Sequence, residues 1–149
     1  MGLDMYLFAQ KTFYDKESKE NQNIKEIAFH ITKPFTDNLN HTKVLTEVAY
    51  WRKANQVHAW FVRNVQDGDD DCGNYYCSLE QIQELLSLCH QVKDNPAKAA
   101  ELLPTQEGFF FGSTQYDESY FVDIDNTITQ LEKILQHKEL LEFEYHSSW

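Results

Sequence analysis

The run YWRKANQVHAWFV, residues 50–62, gathers within eight positions the side-chain types needed to hold a planar, charged molecule. Trp51 offers a ring for stacking, and Arg52, with Lys53 beside it, a fork of N–H donors that matches a phosphate or carboxylate. Asn55 and His58 add hydrogen-bonding groups at helical spacing from Trp51. The competing reading is internal: Asn55 and His58 bond to the protein itself, as buried polar groups usually do, while Arg52 pairs with a carboxylate.

A second candidate is FFFGSTQYD, residues 109–117. Backbone N–H groups from Gly112 through Ser113 to Thr114, ahead of a helix start, can cradle a phosphate or carboxylate, and Tyr116 belongs to the same segment. The run is not a P-loop, since no lysine follows the glycine, and Asp117 and Glu118 already occupy the positive helix end. Its plainer reading is a strand-to-helix turn that needs small residues.

Other residues point to no further chemistry. Asp67, Asp69 and Asp71 resemble the start of a calcium loop, but Cys72 replaces its turn glycine and Ser78 its bidentate glutamate. The six histidines His30, His41, His58, His90, His137 and His146 are scattered outside any nucleophile or metal motif. Cys72 and Cys77 lack zinc-pair spacing, and Cys89 falls on an apolar stripe, as a packed small residue does. The sequence therefore names no catalytic residue, no metal site and no cofactor.

These candidates need elements to carry them. Residues 3–13 and 24–33 are rich in strand formers and read as an antiparallel pair, closed by Pro34 and a polar loop over 35–43. The spacing of Val48, Trp51, Asn55, His58 and Val62 predicts a helix from about Thr46 to Gln66. Ser78 and Gln81 form a capping box that opens a second helix with the stripe Leu79, Ile82, Leu85, Leu86, Cys89 and Val92. Asn95 and Pro96 open a short third helix to Leu103. FFFGS at 109–113 reads as a buried strand. Asp117 caps a long helix to about Gln136, with Tyr120, Ile124, Ile128, Leu131 and Leu135 inward. The closing LEFEYHSSW alternates like a strand. The expected architecture is one α+β domain over residues 1–149, about four antiparallel strands packed as a single layer pair on three to four helices.

A chain of 149 residues with 42% hydrophobic content has material for one sizeable core. Its net charge of −11 is unevenly placed: nine Lys/Arg stand against seven Asp/Glu up to residue 66, and four against seventeen beyond it. Such a field repels nucleic acid and anionic membrane and favours a basic partner or simple solubility. No stretch approaches the roughly 18 apolar residues of a membrane span. The opening MGLDMYLFAQ shows neither a basic start nor a cleavage site, and three cysteines are an odd number, so a reduced cytoplasm is expected.

The segments MGLDMYL, YWRKAN, LLPTQEGFFFGSTQYD and SSW together resemble a family of small, mostly uncharacterised proteins encoded by bacteriophages, prophages and bacterial genomes. The resemblance implies a host cytoplasm and a role against host machinery or defence, and it supplies no activity or catalytic residue.

Three functions are then expected in order. The first is a non-enzymatic binding protein in which Trp51, Arg52, Lys53, Asn55, His58, Ser113, Thr114 and Tyr116 face a shared pocket for a small anionic, nucleotide-like ligand of host signalling. The second is an acidic inhibitor whose residues from Asp67 onward mimic nucleic acid against a basic host protein. The third is a small hydrolase or transferase using His58.

Overall fold

The computed structural model describes residues 2–14, 19–32, 41–137, 139–140 and 142–149. Its elements are β1 (Asp4–Tyr14), α1 (Lys19–Thr32), β2 (His41–Arg52), α2 (Asn55–Asn64), β3 (Asn74–Ser78), α3 (Leu79–Asp94), α4 (Ala99–Leu102), α5 (Glu118–Leu135) and β4 (Glu142–Ser148). The fold is α+β, with one four-stranded antiparallel sheet in the order β2-β1-β4-β3. The chain divides into two compact units, Met1–Ala9 with Glu47–Trp149, and Gln10–Thr46.

In the first unit, alternation along the strands decides which side chains go inward. Leu3, Met5, Leu7 and Ala9 are buried, while Asp4, Tyr6 and Phe8 between them are half-buried. Strand β4 lies antiparallel to β1, with Leu7 opposite Tyr145 and Ala9 opposite Phe143, so Phe143 and Tyr145 fall on the same inner face. On its other side β4 pairs with β3, Cys77 opposite Phe143. The inner face forms one hydrophobic cluster with α2, α3 and α5, through residues such as Phe61, Leu85 and Ile124. Phe61 and Tyr145 stack with ring centres 3.9 Å apart and planes 6° from parallel. A pair of that kind contributes about 1 kcal/mol beyond its burial.

Helix ends follow local chemistry. The Gln81 N–H donates to Ser78 Oγ at 3.2 Å and the Ser78 N–H to Gln81 Oε1 at 2.8 Å, completing the capping box of α3. Asp117 Oδ1 accepts from the N–H groups of Ser119 and Tyr120 at 3.0 and 3.3 Å and so caps α5. Helix α5 buries Tyr120, Ile124, Thr127, Ile128, Leu131 and Ile134, leaving Leu135 at the margin.

Five elements differ from the sequence reading, the first being β3, a strand that it left unassigned ahead of the capping box. Residues 24–32 are helical, not a strand, because Ile24, Ile27, Ala28 and Ile31 recur at the helical period; Pro34 and residues 35–40 lie outside the described residues. The expected helix from Thr46 is instead a strand to Arg52 and a separate helix from Asn55. Ala49 and Trp51 turn inward and Tyr50 and Arg52 outward, a period of two that the coincident three-to-four spacing of Val48, Trp51 and Asn55 concealed. FFFGS is a turn and not a strand: Phe109 and Phe110 are exposed and only Phe111 is buried. Three successive rings cannot all face one core, and Phe110 takes a φ of 71° to bring Phe111 inward. Finally, Asn95 and Pro96 open a 3-10 turn, Pro96–Lys98, that passes into α4, and the Asn95 side chain makes no cap bond.

In the second unit, residues 10–14 of β1, α1 and residues 41–46 of β2 carry the chain. The Tyr14 and His41 rings lie 6.3 Å apart, and the Lys11 ammonium sits 5.2 Å from the centre of the Phe13 ring. Among the described residues no helix is long and apolar enough to cross a membrane.

Candidate functional site

Strand β2 ends at Arg52, and Lys53 reverses the chain with a φ of 59°, in the left-handed region that side chains rarely adopt. Its N–H donates to the Leu3 carbonyl at 2.8 Å, which locks the reversal onto the residue that precedes β1. Gly112 faces it with a φ of 92°, and a Cβ there would meet Lys53 Cβ at 3.2 Å and the Lys53 carbonyl at 3.3 Å. Two left-handed residues thus meet at close range where only glycine fits on one side. Strain of this sort, about 1–3 kcal/mol per non-glycine residue, gathers at binding and catalytic sites.

Asn55 holds the segment carrying Gly112. Its Nδ2 donates to the carbonyls of Phe111 and Ser113 at 3.1 and 2.8 Å, and its Oδ1 accepts from the Gln106 N–H at 3.1 Å. The side chain is buried and wholly engaged.

Between these parts opens a hollow of about 230 Å³ walled by Arg52, Lys53, Gly112, Ser113, Ser119 and Asp123. A neighbouring hollow of about 430 Å³ is walled by Tyr50, Trp51, Asn126 and Gln130 and shares Arg52 and Asp123 with the first. Arg52 is exposed, with its guanidinium 3.6 Å from Asp4 and beside the Tyr50 hydroxyl. The Tyr50 hydroxyl donates to the same Asp4, and that bond pushes the Tyr50 pKa up. Burial pushes the Asp123 carboxyl above the ordinary range, opposed by a donation from Gln56 Nε2 at 3.4 Å. At the start of α5, the Ser119 hydroxyl and backbone N–H donors hold the Asp117 carboxyl below its usual range. The helix terminus therefore already has its anion.

The structure brings Arg52, Lys53 and Ser113 to one hollow. Trp51 forms a wall of the larger one but is 3% exposed, with Nε1 donating to Thr127 Oγ1 at 2.9 Å. Its indole is packed near the Phe61 ring and offers no open stacking face. Thr114 and Tyr116 stand away from both hollows: the Thr114 carbonyl accepts from the Thr105 hydroxyl at 3.1 Å, and the Tyr116 hydroxyl from the Thr105 N–H at 3.3 Å.

His58 is fully buried. The Tyr145 hydroxyl donates to its Nδ1 at 2.8 Å, and its Nε2 donates to Asp70 Oδ2 at 3.0 Å, which fixes one neutral tautomer. Burial lowers its pKa against the opposing pull of Asp70. Asp70 also accepts from the Trp149 indole at 3.0 Å. This chain of bonds ties α2 to β4 without reaching either hollow.

The acidic loop is likewise built from internal bonds, with Asp71 Oδ1 accepting from the Gly73 N–H and the Tyr75 hydroxyl at 2.8 and 3.0 Å. Among the described residues no group of three His, Cys, Asp or Glu side chains is placed to hold a metal ion. Cys77 and Cys89 are buried free thiols whose pKa burial pushes up to about 12, far from a thiolate nucleophile.

Sequence reasoning missed Gln56, Ser119, Asp123, Tyr50, Asn126 and Gln130. The signal for Asp123 was present: it follows the inward Tyr120 by three positions on α5, so it stands beside the buried face. No protein-family model matches the chain, and neither a curated protein nor a solved structure proves significantly similar to it.

Proposed function

We propose that this protein binds a small anionic molecule without transforming it, at the hollow between the β2–α2 junction and the 112–113 turn. The supporting observation is the convergence of Arg52, Lys53 and Ser113 on one concave wall in a chain of net charge −11. Two adjacent cations facing a cavity in so acidic a chain offer charge-assisted hydrogen bonds that suit a phosphate or carboxylate. Against catalysis through His58 stands its burial behind Tyr145 and Asp70. With the phage resemblance, the role is sequestration of an anionic host signalling or defence metabolite in the cytoplasm.

Native mass spectrometry of freshly purified protein, followed by titration with inorganic phosphate, tests the proposal. The Arg52→Ala, Lys53→Ala double variant is expected to lose both retained ligand and phosphate binding, whereas Lys98→Ala, a surface cation on another element, keeps them. Equal binding by the double variant and the wild type overturns the reading.

A further inference from the structure

The smaller hollow does not stand alone. Arg52 and Asp123 line both hollows, so a single ligand lying across them touches each from two sides. The volume of about 230 Å³ is below the roughly 300–1,000 Å³ of ordinary small-molecule sites, and the two hollows joined fall within that range. An inorganic anion uses only part of what is built here.

Asp123 narrows the chemistry further. A bare anion between Arg52 and Lys53 meets a carboxylate on the same wall, which repels it. A ligand carrying a hydroxyl beside its phosphate turns that repulsion into a charge-assisted hydrogen bond. Gln56 Nε2 reaches Oδ2 only at 3.4 Å, so the carboxylate keeps lone pairs to offer, and burial makes such a donor more valuable to it.

The larger hollow supplies the remaining contacts. Gln130 Oε1 accepts from the Tyr50 N–H at 2.8 Å, which orients its amide and leaves the NH₂ as donor. Asn126 is exposed and carries both a donor and an acceptor on the same wall. Two amides side by side, offering donors and an acceptor, are the chemistry that reads the edge of a nucleobase. Two cations, one of them shared with Asp4, suit one phosphate and not a run of them.

We infer that the ligand is a ribonucleoside monophosphate, its phosphate between Arg52, Lys53 and Ser113, a ribose hydroxyl donating to Asp123, and its base edge beside Asn126 and Gln130. The inference rests on the anion-binding reading above and adds the nucleoside to it.

Calorimetric titration of the full chain with the monophosphates of adenosine, guanosine, cytidine and uridine, with their deoxy counterparts, with ribose phosphate and with inorganic phosphate provides the test. At least one ribonucleotide is expected to bind about tenfold tighter than ribose phosphate, the worth of one or two good hydrogen bonds. Ribose phosphate in turn exceeds inorganic phosphate. Asn126→Ala, a surface change that leaves the thermal midpoint in place, removes the advantage of the ribonucleotide over ribose phosphate. Asp123→Asn removes the preference for ribose over deoxyribose. If phosphate binding depends on Arg52 and Lys53 but no ribonucleotide exceeds ribose phosphate, the nucleoside assignment is wrong and the anion site stands. If phosphate binding itself ignores those two residues, both readings fall.

Discussion

At the scale of single residues, the two buried polar groups of α2 do different work. Asn55 fastens the turn that carries Gly112 and Ser113, so Asn55→Ala leaves two carbonyls and one N–H without their partner. A loss of about 2–3 kcal/mol in urea unfolding is expected, together with weaker anion binding, because unmet buried groups keep their desolvation cost. His58 instead sets a dependence on acidity. Its pKa is lowered in the fold, chiefly by burial, while in the unfolded chain it titrates near 6.5. Below about pH 6.5 the unfolded state takes a proton that the fold resists, so stability falls as pH drops through that value toward the lower, folded pKa. His58→Gln should flatten this part of a thermal-midpoint profile taken between about pH 7.5 and 5.5; an unchanged slope would show that another group is responsible. Of the site itself, Arg52, Lys53 and Ser113 were legible as residue types, because charge and small size are written in the letters. The roles of Trp51, Asn55 and His58 were not, since the same letters serve a ligand or a core, and only burial separates the two uses.

At the scale of elements, legibility followed the strength of local chemistry. The start of α3 was readable from Ser78 and Gln81, and that of α5 from Asp117, because each cap bond lies within three residues. Ser78→Ala is accordingly expected to cost about 1 kcal/mol, seen as a lower denaturation midpoint with an unchanged slope. Strand β4 announced itself through Phe143 and Tyr145 alternating with Glu142, Glu144 and His146. The β2–α2 junction resisted because its break is a backbone event: Lys53 turns left-handed against Gly112, which is fifty-nine positions away in sequence and in contact in space. Likewise α1 passed for a strand, since its isoleucines satisfy strand composition and helical period alike.

At the scale of the whole molecule, the charge distribution bears on how the proposed ligand arrives. A net charge of −11 repels anions at long range, while Arg52 and Lys53 attract only at contact. Raising ionic strength from about 0.01 to 0.15 M shortens the screening length from roughly 30 to 8 Å and removes the repulsion before it removes the contact. The association rate of the anion, followed by stopped flow, should therefore rise with salt, the reverse of the usual steering effect. Capture of a basic protein by the acidic residues beyond Asp67 would fall with salt instead, so the sign of the slope separates the two partners. The strand order has a consequence of its own. Strand β4 sits between β1 and β3, so neither neighbour has its full set of backbone partners until residues 142–148 have left the ribosome. The growing polypeptide must keep Leu3, Met5 and Leu7 from going astray until β4 emerges, so this sheet closes late relative to its first strand and invites a chaperone's protection meanwhile.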